Sequence, residues 1–150
     1  MQEILVAVDG SEASKRALLF ALKIAKSMSL KVSVITVIQS RLQGYRAGYF
    51  SFVDRHILQE LRDFGKKVLD EAEEVGKKEG VTLGTHLLET ENEVYEEIVD
   101  FLSKSKDIWL LVLGSFGHSL RDRIILGSTT QRVLFEIGRR NLSVPVVVVP

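Results

Sequence analysis

Ile4-Leu5-Val6-Ala7-Val8-Asp9-Gly10-Ser11 decides how the rest of the chain is read. Five consecutive apolar residues stop at an Asp-Gly-Ser turn, the pattern of a short strand buried on both faces. From residue 11 to about 29 the period changes. Ala13, Ala17, Phe20/Ala21, Ile24 and Met28 recur every three or four residues, which puts them on one helical face.

The alternation repeats outward from there. Residues 32–38 form a second β-branched strand. Residues 39–53 break the rhythm, with Gly44 and Gly48 among Tyr45, Tyr49, Phe50 and Phe52. A helix over about 54–79 repeats Ile57, Leu61, Phe64, Val68, Ala72 and Val75, and Gly80 is placed to end it. Gly65 and Gly76 inside this helix weaken it by up to about 1 kcal/mol each, so tertiary packing is expected to hold it. Residues 81–88 are a third strand, with Val81, Leu83, Thr85 and Leu87 on one side. Residues 91 to about 104 are a helix with acids at its start and Lys104 and Lys106 near its end, both suited to the helix dipole. A fourth strand over 108–113, a connection over 114–127, a helix from 128 to about 137 and a strand over 144–149 complete the chain.

Five strands alternating with four helices predict parallel pairing through right-handed crossovers, hence a three-layer α/β sandwich in a single domain spanning 1–150. Pro145 cannot donate to a ladder, which suits an edge or the first residues of a strand. It leaves Val146 to Val149 as an apolar edge, and a partner subunit is one cover for it.

Composition excludes several classes of function. The 150 residues carry 20 Lys+Arg against 20 Asp+Glu, so no broad electrostatic grip on nucleic acid or anionic lipid is expected. There is no cysteine, hence no disulfide, thiolate zinc site, iron–sulfur ligand or thiol nucleophile. Even so long an unbroken aliphatic and aromatic run as residues 108–113 is far short of the roughly 20 apolar residues that cross a bilayer. The N-terminal stretch lacks the basic start and long apolar segment of a secretory signal, so a cytoplasmic location is expected.

Ligands of an open parallel sheet gather at the carboxyl ends of its strands, near the point where strand order reverses. Asp9-Gly10-Ser11-Glu12 follows the first strand. Gly114-Ser115-Phe116-Gly117-His118 follows the fourth and leads to Gly127-Ser128-Thr129-Thr130 at the start of a helix. Glycines let backbone amides approach a phosphate, the first N–H groups of a helix have no intrahelical partner, and the helix start carries partial positive charge. Hydroxyls of Ser128, Thr129 and Thr130 add donors. A plain structural reading has equal weight: Ser128 with Gln131 fits a capping box, and Gly114 and Gly117 fit a turn. Spacing alone leaves both readings open.

Gly114-x-x-Gly117, nine further residues and Gly127-Ser128 together resemble the nucleotide-binding signature of the universal stress protein family. The opening Ile-Leu-Val-Ala-Val-Asp-Gly-Ser, the Thr36-Val37-Ile38 strand end and the terminal Val144-Pro145-Val146-Val147-Val148-Val149 agree with it in order and position, so the resemblance spans essentially the whole chain. It implies a Rossmann-like, adenine-nucleotide α-hydrolase-like fold: a five-stranded parallel sheet of order 3-2-1-4-5 with four helices. It also implies a homodimer pairing through the last strand, and membership of the ATP-binding subgroup. Under the resemblance, Asp9 accepts hydrogen bonds from the ribose, and Ala7, Val8 and Val37 form the adenine pocket, Val37 through its backbone. Leu113 and Gly114 flank the ribose and α-phosphate; Gly117, Gly127, Ser128 and Thr129 hold the phosphates. Phe116 stands where relatives commonly carry His or Arg, and His118, Arg121 and Arg123 are the nearby replacements. The acid often found just before the fourth strand is here Asp107, two residues further back.

No Walker A loop, Gly-x-Gly-x-x-Gly fingerprint or Gly-x-Ser-x-Gly elbow follows any expected strand. His56, His86 and His118 stand about thirty residues apart and read as surface or strand histidines, not metal ligands. Mg²⁺ or Mn²⁺ riding on nucleotide phosphates would need few protein ligands. Arginines and aromatics interleave over 41–55, which reads as a flap or subunit contact rather than a stacking surface for nucleic acid. Arg139-Arg140 read as complements to a helix dipole. The expected function is an ATP-binding regulatory module responding to stress. No general base for fast hydrolysis is evident, and slow hydrolysis stays open. The alternatives are a nucleotide-free dimeric scaffold and an adenine-nucleotide α-hydrolase-type enzyme. The latter carries a Ser-Gly-Gly-x-Asp-Ser loop where this chain reads Val8-Asp9-Gly10-Ser11-Glu12-Ala13-Ser14.

Overall fold

A computed structural model describes residues 2–40, 51–115 and 127–150. The elements run β1 (Glu3–Ala7), α1 (Glu12–Met28), β2 (Lys31–Gln39), α2 (Ser51–Glu79), β3 (Leu83–Thr90), α3 (Val94–Lys104), β4 (Ile108–Gly114), α4 (Ser128–Arg139) and β5 (Val146–Val149). All strand pairs are parallel, in the order β3-β2-β1-β4-β5, as the resemblance implies. Two apolar layers sandwich the sheet. Ile4, Val6, Val32, Val34, Leu110 and Val112 meet α1 and α2 on one face; Leu5, Ile35, Leu111 and Leu113 meet α3 and α4 on the other. The period-two alternation of a strand therefore feeds both cores, which is why these strands read as continuous apolar runs. Among the described residues no helix is long and apolar enough to cross a membrane.

Local chemistry sets the ends of the elements. Ser11 caps α1: its side chain accepts from the Ser14 N–H at 3.2 Å. Gly80, at φ +72°, ends α2 as expected, with its N–H on the Lys77 carbonyl and the Val81 N–H on the Gly76 carbonyl. That second bond keeps Val81 out of β3, which begins at Leu83 instead of 81. β5 likewise begins at Val146 instead of 144. Pro145 stands just before it and its carbonyl accepts from the Leu111 N–H at 3.0 Å. Residues 91–93 precede α3 instead of opening it, because the Asn92 N–H is held by the Thr90 hydroxyl at 3.0 Å. α2 starts at Ser51, three residues before the expected position, while 41–50, with their aromatics and arginines, lie outside the described residues.

The buried stripe of α1 is also re-centred. Ala13, Ser14, Ala17, Leu18, Ala21, Leu22 and Ala25 face the sheet, whereas Phe20 and Met28, assigned to that face from spacing, are exposed. Small residues bring this helix close to β1 and β4, and a phenylalanine has no room there. In α2 the two interior glycines have a packing reason. A Cβ on Gly65 would lie 2.6 Å from Leu87 Cδ1, and one on Gly76 would lie 2.7 Å from Leu83 Cδ1 and Cγ. The leucines of β3 fill the notches, and burial there offsets the weaker helix propensity of glycine.

Candidate functional site

Strand order reverses between β1 and β4, and a cleft of about 400 Å³ opens there at the carboxyl ends of β1, β2 and β4. Ala7, Val8 and Asp9 line it from β1 and the turn that follows, Val37 from β2, Leu113 and Gly114 from β4, and Gly127, Ser128 and Thr129 from the start of α4. Nine of the candidate residues thus share one wall. Gly117 and His118 lie outside the described residues, as do Phe116, Arg121 and Arg123. Ser11, from the turn singled out after the first strand, joins them, and three further lining residues carried no expectation as site residues: Ser14 from α1, and Val94 and Ile98 from α3. The last two are spaced i and i+4 on the apolar face of a helix packed over the strand ends, a signal present in the sequence.

Three helices begin at this cleft, and they differ: α3, entered through Glu93, has no side-chain cap hydrogen bond but carries Glu96 and Glu97 in its first turn. The Ser11 hydroxyl caps α1. The N-cap of α4 is Gly127, at φ −61° and ψ 156°, with no side-chain cap hydrogen bond and no acid in the first turn. The capping box expected from Ser128 and Gln131 is therefore not formed. The first intrahelical bond runs from the Gln131 N–H to the Gly127 carbonyl at 3.0 Å, so Ser128 is already inside the helix and has lost the N-cap geometry. Thr130 also departs from expectation. Its hydroxyl donates to the Gly114 carbonyl at 2.7 Å and fastens α4 to β4.

Asp9 is exposed. Its Oδ1 accepts from the Ser11 N–H at 2.9 Å, which orients the carboxylate over the turn, and Oδ2 has no protein partner among the described residues. The Val8 N–H reaches the Ile35 carbonyl at 2.9 Å, and the Val8 carbonyl accepts from the Thr36 hydroxyl at 2.7 Å. Two residues beyond Ile35, Val37 turns its backbone N–H and C=O to the same side, past the point where β1 has left the sheet. Gly114 has a steric reason independent of any ligand. A Cβ there would lie 2.9 Å from the Ala13 carbonyl carbon and the Ser14 nitrogen.

The charged side chains with shifted pKa lie away from this cleft. Hydrogen bonds from Arg139 and Arg140 bring the Glu136 carboxyl down to about 2, and Arg140 also donates to Asp100 on α3 at 2.6 Å. Arg139 and Arg140, expected to serve the helix dipole, instead form a network that ties α4 to α3. Arg62 on α2 holds Glu89 at the end of β3 and lowers its pKa through the hydrogen bond. Among the described residues no group of three or more His, Asp or Glu side chains converges as a metal site.

Fold and cleft define an α/β protein with a ligand-sized opening at the switch point of a 3-2-1-4-5 sheet. The family model described as "Universal stress protein family" matches residues 1–150, and the chain belongs to this family. Universal stress protein MJ0531 of Methanocaldococcus jannaschii is 34% identical over 150 residues, spanning 99% of this chain and 81% of that protein. Universal stress protein UspA from Lactobacillus plantarum shares the fold with a TM-score of 0.83 at 23% identity, over 99% of this chain and 97% of that one. A universal stress protein solved in complex with cAMP aligns with a TM-score of 0.67 at 25% identity, over 99% of this chain and 97% of that chain.

Proposed function

We propose that this chain is an adenine-nucleotide-binding regulatory module that takes ATP, with Mg²⁺ or Mn²⁺ carried on the phosphates. One observation carries the reading: of three helices starting at one cleft, α1 is capped by its own serine, α3 carries Glu96 and Glu97 in its first turn, and only α4 combines a first turn without acid with no side-chain cap. Uncapped amides, an absence of acid and a glycine N-cap make an anion site without net charge. This accords with a chain whose formal charge is zero.

In this reading Val37 offers its backbone to the base, with Ala7 and Val8 as the apolar wall. Asp9 Oδ2 accepts from ribose hydroxyls; Leu113 and Gly114 border the sugar; the amides of Ser128 and Thr129 hold phosphate beside Gly127, whose own N–H is committed to the Ser115 carbonyl, with Gly117 and His118 completing the signature. Each charge-assisted hydrogen bond is worth about 1.5–3 kcal/mol, so several together reach the roughly 8 kcal/mol of micromolar affinity net of association costs. The relative bound to cAMP supports the adenine half of the assignment. The functional unit is one domain, residues 1–150, acting in the cytoplasm as a homodimer through the edge at 144–149. β4 pairs with one side of that edge, and all four valines of β5 keep partial exposure.

Native mass spectrometry of the protein as purified, followed by calorimetric titration with ATP·Mg²⁺, tests the reading. Bound ATP or a saturable micromolar isotherm is expected. Accumulating AMP and pyrophosphate would point instead to an α-hydrolase-type enzyme. Neither mass increment nor heat would leave a nucleotide-free scaffold.

A further inference from the structure

Ser115 follows Gly114 and is 4% exposed, yet its hydroxyl oxygen has no hydrogen-bond partner. The other buried hydroxyls among the described residues, those of Ser11, Ser14, Ser33, Thr36, Thr90 and Thr130, all have one. An orphaned buried hydroxyl is unfavourable and uncommon in native proteins, and it calls for a role. The backbone of the same residue is fully used. Its N–H donates to the Val149 carbonyl at 2.8 Å, and its carbonyl accepts from the Gly127 N–H. Ser115 therefore stands at the junction of β4, β5 and the start of α4, pinned on both sides, with only its hydroxyl uncommitted.

Its two bonded or adjoining neighbours, Gly114 and Gly127, both line the cleft, and the described lining residues include no lysine or arginine. The described lining therefore offers phosphate oxygens neutral donors. We infer that Ser115 is a further ligand-binding residue, its hydroxyl donating to a phosphate oxygen of the bound nucleotide. The inference rests on the nucleotide reading above. A change of χ1 between staggered wells re-aims the oxygen while the pinned backbone stays still, and a hydroxyl donating to an anionic oxygen makes a charge-assisted bond. In this inference a phosphate oxygen is the acceptor that the Ser115 hydroxyl lacks within the protein.

Titration of wild type and Ser115→Ala with ATP·Mg²⁺ and with adenosine, alongside melting of the free proteins, tests this. The variant is expected to bind ATP about tenfold or more weakly, tenfold being roughly 1.4 kcal/mol, while binding adenosine as wild type does. Its ligand-free melting temperature should not fall, because alanine removes an unsatisfied group and leaves no large void. ATP affinity within twofold of wild type overturns the inference and leaves the nucleotide reading intact. Equal losses for ATP and adenosine overturn it too, by showing general distortion. Wild type that binds neither ligand removes the nucleotide reading and this inference with it.

Discussion

The Thr130 hydroxyl donates to the Gly114 carbonyl across 2.7 Å, joining the third residue of α4 to the last residue of β4. With the bond from the Gly127 N–H to the Ser115 carbonyl, it fixes where α4 begins relative to the sheet, and so where its open amides point.

Thr130→Val keeps the shape of the side chain and removes this donor. A part-buried carbonyl is left unpaired, so a loss of about 1–2 kcal/mol is expected. At this chain length that is a fall in melting temperature of roughly 3–6 °C by calorimetry. An unchanged melting temperature would show that the carbonyl finds another donor.

Gly114→Ala should be worse. The new methyl would meet the backbone of Ala13 and Ser14 at 2.9 Å, and backbone cannot swing aside as a side-chain tip can. Separating α1 from β4 is expected to cost about 1–3 kcal/mol, read as a lower urea midpoint with unchanged slope.

Gly127→Val separates binding from folding. Gly127 sits at φ −61° and ψ 156°, an extended conformation that valine adopts readily, so the backbone tolerates the change. The branched side chain would cover the open amides. ATP affinity is expected to fall beyond detection while the melting temperature moves by only a few degrees; wild-type affinity in this variant would defeat the proposed phosphate site.

Glu136 predicts an acid dependence of stability. Its folded carboxyl titrates at about 2 against an ordinary 4.5, held by Arg139 first and Arg140 second. A lowered folded pKa contributes stability that is fully present above the unfolded value and is lost as pH falls through the folded one. Glu136→Gln should therefore be less stable than wild type at pH 7. The gap should narrow from about pH 4.5 and close near pH 2 in urea melts. A constant gap across that range would mean the carboxylate charge is not what the arginines use.

The strands were legible because a sheet covered on both faces leaves continuous apolar runs, as in 4–8 and 108–113. Helix faces were less so. Spacing could not tell that α1 approaches the sheet on alanines, which turned Phe20 outward, or that the Val81 N–H was already engaged with Gly76. The cleft was legible as a set of residues following strands β1, β2 and β4, and nine of those named converge. Their individual duties were not. Glycine at 114 reads alike whether it admits a phosphate or a neighbouring helix, and only the 2.9 Å approach of Ala13 and Ser14 reveals the second. Ser128 looked like a cap because the box pattern is satisfied one residue late, a shift that depends on where the chain enters the helix.

Gly65 and Gly76 stand eleven residues apart, about three helical turns, so their gaps face the same strand. Leu83 and Leu87, on one side of β3, seat in them in reverse order. Sliding α2 by a single turn would press the Leu69 side chain toward the seat of Leu87. The outer flank of the sheet thus carries a built-in ruler, graduated by missing side chains, and its alignment is set within residues 65–87 without reference to the distant strands β4 and β5.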